Sequence, residues 1–234
     1  MDFSVKIEGF IDVLVSKGGY KDVLLGLRNT MIIAICGLII GVIIGTLIAV
    51  VKVVPKRGRF LKVLEKISSI YVAFFRGTPM VVQLLLGYYV IFPIIGIKIQ
   101  PLTACLIIFG MNSGAYVSEI MRSGILSVDP GQTEAGYALG LNYGLTMTKI
   151  VVPQAVKNIL PTIGNEFITL VKETSIVSFV SAVDLYKAFR SIAAANYEYM
   201  VPYICMAIIY IVLVLIIAAL IKLMEKRLRA SDKR

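Results

Sequence analysis

The sequence contains no histidine and no tryptophan, and only 3 of its 234 residues are cysteines. Without histidine, the chain lacks the commonest metal ligand and the side chain that most readily carries protons near neutral pH. The cysteines are scattered through apolar runs without paired spacing, at Cys36, Cys105 and Cys205. They indicate small core residues, so we expect neither a disulfide framework nor a metal site.

Charge is also scarce. Charged residues make up 16% of the chain, whereas an ordinary soluble domain has about 25%. Hydrophobic residues reach 58%, which is typical of a protein that crosses a membrane several times. The 24 basic residues outnumber the 14 acidic ones. In a membrane protein such an excess orients the chain, so it gives no reason to expect a nucleic-acid partner.

Long uncharged runs mark the candidate membrane spans. Four such runs are close to the ~20 residues that a membrane helix needs: residues 29–51, 77–97, 99–118 and 199–221. A fifth segment, residues 160–185, is interrupted by ionisable side chains, but its apolar remainder indicates a helix buried within a bundle. We therefore predict an all-α integral membrane protein with about five transmembrane helices.

Basic residues predict the orientation of these spans. Residues 52–66 carry six basic residues and one acid, and residues 222–234 carry six basic residues and two acids. Both segments should be cytoplasmic, because cytoplasmic loops are enriched in lysine and arginine. An arrangement with the N-terminus outside and the C-terminus inside satisfies both constraints. A four-span arrangement would leave one of the two basic segments on the wrong side.

The chain divides into three parts on this reading. Residues 1–28 have apolar side chains at helical spacing between balanced charges, which predicts an amphipathic helix along the membrane surface. Residues 29–221 form the transmembrane domain, which includes a cytoplasmic loop at residues 120–160. Residues 222–234 form a basic cytoplasmic tail.

The cytoplasmic loop contains signals for two short helices. Asp129 is placed to cap the first helix, with Pro130 in its first turn and Gln132 closing a capping box. This helix should end near Gly140. A second helix at residues 143–152 should end before Pro153.

Four segments of the sequence match a known pattern. Glu134-Ala135-Gly136, with Gly140 after it and Ile150-x-Val152-Pro153 nine residues later, resembles the EAA loop of ATP-binding-cassette (ABC) importer permeases. The family usually has alanine in place of Gly136 and leucine in place of Val152. Three further segments resemble the polar amino acid branch of that family, and the resemblance extends over residues 26–229: Phe75-Arg76-Gly77-Thr78-Pro79, Tyr116-Val117-Ser118-Glu119-Ile120 and Val171-Lys172-Glu173-Thr174-Ser175.

The resemblance implies a fold, a function and a set of partners. The fold would be that of a type I importer permease, in the cell membrane of a prokaryote. Two copies, or this chain and a similar one, would form the pathway for polar, basic amino acids by alternating access. Two ATPase subunits would bind ATP and magnesium, and an extracytoplasmic binding protein would deliver the substrate. The chain itself has no glycine-rich phosphate loop, so we expect it to be no enzyme and to hold no cofactor.

In that family the loop helix docks into a groove on the ATPase. The resemblance assigns this coupling role to residues of the EAA loop: Glu134, Ala135, Gly136, Gly140, Ile150 and Pro153. A short helix held between glycine turns can act as a rigid lever in such a groove. An incidental helical hairpin would be the alternative if the other matching segments were absent.

Polar residues at membrane depth form the predicted substrate pathway. On the third span Asn112, Tyr116 and Glu119 fall on one helical face, with Ser113 beside them, and Glu166, Thr169 and Glu173 form a similar stripe farther along. Such groups usually face a pathway or each other. Glu119 could instead pair with Arg122, and Glu173 with Lys172 or Arg76. Our hypothesis is that Glu166 selects a cationic substrate such as arginine, lysine or histidine.

The segment Arg76-Gly77-Thr78-Pro79 marks the start of a helix, with Thr78 as its cap and Pro79 in its first turn. Arg76 either holds a gate through a carboxylate or extends to the lipid headgroups.

Glycines recur every four residues in two spans, at Gly37, Gly41 and Gly45 and at Gly110 and Gly114. This spacing allows close helix contact. We favour packing within one bundle over a dimer interface.

Two other classes of protein remain as alternatives. An ion- or proton-coupled secondary transporter could use Glu119, Glu166 and Glu173 as titrating carriers, although the chain shows no internal repeat. An intramembrane enzyme is the second alternative, but no convincing pair of nucleophile and base is present.

Overall fold

The computed structural model describes residues 3–55 and 58–230 and, of the last helix, the side chains up to Leu228. Within these ranges the chain is helical and contains no strand, which confirms the all-α prediction. Several of the basic residues used to predict orientation, such as Lys56, Arg57, Lys233 and Arg234, lie outside the described residues. The α-helices have these bounds: α1 Phe3–Ile11, α2 Gly19–Val53, α3 Arg59–Gly77, α4 Met80–Leu86, α5 Phe92–Ile94, α6 Pro101–Leu126, α7 Pro130–Ala138, α8 Tyr143–Thr146, α9 Val152–Glu173, α10 Leu185–Ala195 and α11 Met200–Ala230.

Three of the described helices are long and apolar enough to cross a membrane, namely α2, α6 and α11. The helix α3 and the segment Met80–Ile94 together are also long and apolar enough, but they meet at an angle of 110°, so they form either one broken span or a re-entrant loop. The predicted run at residues 77–97 is mostly helical, whereas the predicted loop at residues 52–66 is too long, because α2 continues to Val53 and α3 begins at Arg59. Arg59 already begins a helix, whose Lys62 and Lys66 lie one turn apart on an exposed face.

The fifth predicted span corresponds to α9 and the 3-10 helix Thr174–Val180 that follows it. This segment is too polar to count among the apolar spans, so the number of five spans stays a prediction. The orientation of the termini also stays a prediction. Asp184, which follows this segment, is fully buried and caps α10 by accepting hydrogen bonds from the backbone N–H groups of Tyr186 and Lys187.

The glycine stripes of α2 and α6 face each other. A Cβ atom placed on Gly41 would lie 2.5 Å from the Ser113 hydroxyl, and one on Gly45 would lie 2.7 Å from Val117. On the opposite helix, Gly110 and Gly114 lie against isoleucine side chains of α2. The prediction that these glycines serve packing within one bundle is confirmed, because each stripe packs against larger side chains of the other helix.

The loop after α6 forms the predicted pair of short helices, with two corrections. Asp129 caps α7 by accepting a 2.7 Å hydrogen bond from the Gly131 N–H group, but Gln132 does not close a capping box, since its side chain accepts from Gln154 instead. The second helix does not end before Pro153. A π-helical turn, Met147–Val151, leads directly into α9, where Pro153 lies in the first turn and its missing N–H group costs little.

The N-terminal helix α1 is attached to the loop before α11. Lys6 forms a 3.2 Å ion pair with Glu198, and the Asn196 side chain donates a 2.9 Å hydrogen bond to the Gly9 carbonyl oxygen. The helix α2 begins at Gly19, ten residues before the uncharged run starts. The location of residues 1–28 at the membrane surface stays a prediction.

Candidate functional site

The break between α3 and α4 shapes one side of the candidate pathway. Pro79, not Thr78, precedes the first residue of α4, and no side chain caps that helix. The predicted role of Thr78 is therefore wrong, because its hydroxyl donates to the Phe74 carbonyl oxygen at 2.8 Å. The proline cannot continue the hydrogen-bond ladder, so carbonyl groups at the end of α3 need other donors.

Gln83 supplies those donors. Its buried amide nitrogen lies 2.8 Å from the Phe75 carbonyl oxygen and 2.9 Å from that of Thr78, and its amide oxygen accepts a 2.8 Å hydrogen bond from Asn112. Asn112 thus connects α6 to the helix break and is itself buried. The structure places this member of the predicted pathway in a packed polar cluster.

Tyr116 lies on the neighbouring, open part of α6. Its side chain is 37% exposed, and the guanidinium carbon of Arg76 lies 5.5 Å from the centre of its ring. This cation–π contact brings the end of α3 over the face of α6 that carries Tyr116. The two residues form an accessible polar surface at the end of α3.

Glu119 is the best-partnered carboxylate of the predicted pathway. One oxygen lies 2.5 Å from the Lys52 amine, and the other accepts a hydrogen bond of 3.0 Å from the Arg122 guanidinium. The pairing with Arg122 that the sequence allowed is present, and Lys52 of α2 adds a second cation. The two ion pairs of Glu119 connect α2 to α6 near the start of the loop that follows α6.

Glu166 occupies a different environment. It is only 9% exposed, and it makes no ion pair with any residue of ranges 3–55 and 58–230. Its polar neighbours are the Ser113 side chain of α6 and, farther along α9, Glu173. The buried Ser113 hydroxyl makes no hydrogen bond with any residue that the structure describes. An unpaired buried carboxyl group is costly in a membrane, so this position calls for a functional reason.

The remaining members of the α9 stripe are more open. Thr169 is exposed, and its hydroxyl donates to the Asn165 carbonyl oxygen at 3.2 Å. Glu173 is half-buried beside the exposed Lys172, which is the nearest opposite charge that acts on it. The structure therefore brings Glu166 and Ser113 together and leaves Thr169 on the outer part of the same helix.

The EAA loop presents one face outward and one inward. Glu134 and Ala135 are exposed on α7, whereas Gly136 is buried against α8. A Cβ atom on Gly136 would lie 2.7 Å from the Thr146 side chain, so only glycine allows this contact. Gly140 has a φ of +77°, which ends α7 in the left-handed region that glycine tolerates. Ile150 is half-buried between the helices, and Pro153 is exposed at the start of α9.

The loop also contacts the first span. The Tyr143 hydroxyl donates to the Val53 carbonyl oxygen at the end of α2, at 3.3 Å. Partial burial, with a smaller effect of Tyr137, raises the pKa of Tyr143, so the hydroxyl remains a donor at neutral pH. A displacement of the loop would therefore act on α2 directly.

Sequence reasoning missed three residues of this arrangement. Gln83 had a visible signal, since it is a lone amide in an uncharged run four residues after a proline. Lys52 was assigned only to orientation, and Tyr143 only to a helix. The contacts of Lys52 and Tyr143 lie 67 and 90 residues away along the chain.

Comparison with known proteins gives consistent matches. Residues 37–230 match the family described as binding-protein-dependent transport system inner membrane component. The arginine transport system permease protein ArtQ of Bacillus subtilis is 40% identical over 90% of this chain and 94% of its own length. A glutamine transport system permease protein GlnP of Rickettsia bellii, itself described as putative, is 39% identical over 88% and 92%.

Solved structures share the fold. A crystal structure of an amino acid ABC transporter with histidines contains a chain that aligns with a TM-score of 0.84 and 39% identity, over 92% of this chain and 98% of that one. The MetNI methionine ABC transporter in an inward-facing conformation aligns with a TM-score of 0.68 at 21% identity, which supports the fold alone.

Proposed function

Since the chain belongs to the family of binding-protein-dependent transport system inner membrane components, we propose that it forms the path for basic amino acids as one half of a permease dimer. The chain is the permease component of an ABC amino acid importer and a multi-pass protein of the bacterial inner membrane. Such permeases are transport channels and not enzymes. The family also decides against the ion-coupled secondary transporter and the intramembrane enzyme.

The buried, unpaired carboxyl group of Glu166 carries the proposed specificity. A cationic side chain of the substrate would supply the partner that the described residues do not. Glu119 is less suitable, because Lys52 and Arg122 already bind both of its oxygens. Ser113 would add a hydrogen bond beside Glu166.

The names of the relatives are compatible with a basic amino acid as the substrate, but they do not identify the substrate. One is named for arginine transport, and one structure was crystallised with histidines, but a relative at nearly the same identity is named for glutamine. Overall identity therefore does not select the substrate. The local charge of Glu166 supports the basic class.

The proposed assembly contains a second permease copy, either identical or closely similar, two ATPase subunits and an extracytoplasmic binding protein. ATP and magnesium would bind to the ATPase subunits, and this chain would need no cofactor. The exposed Glu134 and Ala135 support docking of α7 into a groove of the ATPase. Closure of the ATPase pair would move the loop and favour one of two permease conformations, which is alternating access.

Transport by the reconstituted importer tests the specificity. We expect Glu166→Gln to lower the uptake of arginine and lysine about tenfold relative to glutamine, because it removes a charge-assisted hydrogen bond of ~1.5–3 kcal/mol. Glu8→Gln is the matched control, since Glu8 is exposed on α1. An unchanged ratio in Glu166→Gln would refute the role of this residue.

Copurification tests the partners. A tagged chain that is coexpressed with the ATPase subunit and the binding protein of its importer should retain the ATPase subunit after solubilisation. Glu134→Lys should weaken this association, whereas Lys21→Glu, on the far side of the chain, should not. Retention of the ATPase by both variants alike would argue against docking through α7.

A further inference from the structure

Arg76 is an exposed cation at the end of α3 without an anionic partner among the described residues. It lies in the last turn of α3, and its guanidinium group forms no ion pair with any residue in ranges 3–55 and 58–230. The guanidinium carbon lies 5.5 Å from the centre of the Tyr116 ring. A guanidinium group without an anion of its own is suited to bind a carboxylate that arrives with the substrate.

The geometry of α6 relates this guanidinium to Glu166. Ser113 and Tyr116 are three residues apart and therefore lie on neighbouring positions of one helix flank. Glu166 approaches Ser113 from α9, and Arg76 covers Tyr116 from α3. A carboxyl group on α9 and a guanidinium group on α3 thus lie beside positions of α6 that are about one helical turn apart.

The space beside Arg76 is open. A Cβ atom on the adjacent Gly77 would meet nothing within 4 Å, and Tyr116 is 37% exposed. The backbone of the break is nevertheless fixed, because Gln83 binds the Phe75 and Thr78 carbonyl oxygens. A fixed backbone next to an open space positions the guanidinium group for a ligand.

We propose that Arg76 binds the α-carboxylate of the amino acid during its passage, with Tyr116 holding the guanidinium plane. Every amino acid substrate carries this carboxylate, and the planar guanidinium group matches it with two parallel hydrogen bonds. The inference rests on the proposed function only in placing the substrate's side chain at Glu166. Arg76 would recognise what all substrates share, and Glu166 would distinguish among them.

Binding to the purified permease–ATPase complex, without the binding protein, tests this assignment. The probes are L-arginine and L-glutamine, each compared with its α-carboxamide, which lacks the carboxylate. We expect the unmodified complex to bind each free acid at least tenfold more tightly than its amide. Arg76→Gln should bring this ratio close to one. Arg59→Gln, which removes an exposed arginine from the first turn of the same helix, should leave the ratio unchanged.

Further variants separate recognition from folding. Arg76→Lys keeps the charge but loses the planar group, so it should give an intermediate ratio. Tyr116→Phe should preserve the preference for the free acid, and Tyr116→Leu should reduce it. A full preference for the free acid in Arg76→Gln, or no preference in the unmodified complex, would overturn the proposal and leave Arg76 as a cation that only complements the end of α3.

The two assignments fail separately. If Glu166→Gln keeps the preference for arginine over glutamine, the proposed specificity is wrong, whatever Arg76 does. If Arg76→Gln keeps the preference for acid over amide, the carboxylate site is wrong, whatever Glu166 does.

Discussion

Lys52, in the last turn of α2, forms a 2.5 Å ion pair with Glu119 of α6. The side chains of the two residues are only 12% and 19% exposed. The next residue, Val53, accepts the hydrogen bond from Tyr143 of the EAA loop. The ion pair therefore lies next to the contact between α2 and the EAA loop. It connects α2 to α6 at the place that a movement of the loop would reach first.

Removal of one partner of this ion pair should destabilise the bundle. We expect Glu119→Gln to lower the free energy of unfolding by ~1.5–3 kcal/mol, because it removes the charged partner of the partly buried Lys52 amine. Arg122→Gln should cost less than about 1 kcal/mol, since the Arg122 side chain is 41% exposed. Thermal unfolding in detergent measures both variants.

The double variant Lys52→Met with Glu119→Leu is the control for this interpretation. It removes both charges together, so it should recover most of the stability lost in Glu119→Gln. Equal stability of Glu119→Gln and the unmodified chain would show that the ion pair contributes nothing.

A second prediction concerns the role of Gly136 in coupling ATP hydrolysis to transport. Gly136→Ala places a Cβ atom 2.7 Å from the Thr146 side chain, so α7 must move away from α8. We expect substrate-stimulated ATPase activity of the reconstituted importer to fall several-fold while the bundle remains folded. Gly144→Ala is the matched control, because its Cβ atom would meet only the Asn142 side chain, at 3.5 Å. Equal activity of the two variants would contradict a role for the Gly136 contact.

A third prediction concerns the packing of α2 against α6 at Gly41. Gly41→Val should destabilise the α2–α6 contact, because even a Cβ atom would lie 2.5 Å from the Ser113 hydroxyl. Overpacking of this kind costs ~1–3 kcal/mol. Ile43→Val, on the exposed face of α2, should leave thermal unfolding unchanged. If both variants unfold at the same temperature, the glycine stripe does not determine the helix distance.

Local sequence signals predicted much of this fold, because they depend on neighbouring residues. The uncharged runs identified α2, α6 and α11, and Asp129 and Gly140 marked the ends of α7 within a residue or two. Glycine spacing identified the packed face of α2. In each case the physical cause lies within one helix or one turn.

The errors arose where distant residues meet. The bend at Pro79 depends on Gln83 and Asn112, which supply and accept hydrogen bonds across the break. Helical spacing showed the face of α6 that carries Glu119, but it did not show that Lys52 of another helix pairs with this carboxylate. Pro153 was expected to end a helix, and a π-helical turn allows the chain to continue instead.

The attachment of α1 is the fourth test, and it depends on pH. Desolvation disfavours ionisation of Glu198, but hydrogen bonds from Lys6 and from the Met200 and Val201 N–H groups outweigh it and lower its pKa. Because the pKa is lowered on folding, the contact stabilises the attachment at neutral pH and is lost as pH falls through the lowered pKa, below the ordinary value of ~4.3.

A nitroxide label at Ser4, which is exposed on α1, measures this attachment. We expect its mobility to be low at pH 7 and to rise below about pH 4. In Glu198→Gln the label should be mobile at both pH values. A pH response that persists in Glu198→Gln would assign the effect to another group.

The last prediction is that Gln83 stabilises the break between α3 and α4. Gln83→Leu removes the donors for the Phe75 and Thr78 carbonyl oxygens and the acceptor for Asn112, all inside the bundle. Unsatisfied buried polar groups cost ~1–3 kcal/mol each, so thermal unfolding should occur at a clearly lower temperature. Gln83→Glu keeps the acceptor for Asn112 but loses both donors, so its loss should be comparable and not smaller. If Gln83→Leu unfolds like the unmodified chain while Gln83→Glu does not, the charge and not the missing donors is responsible, and Gln83 does not stabilise the break.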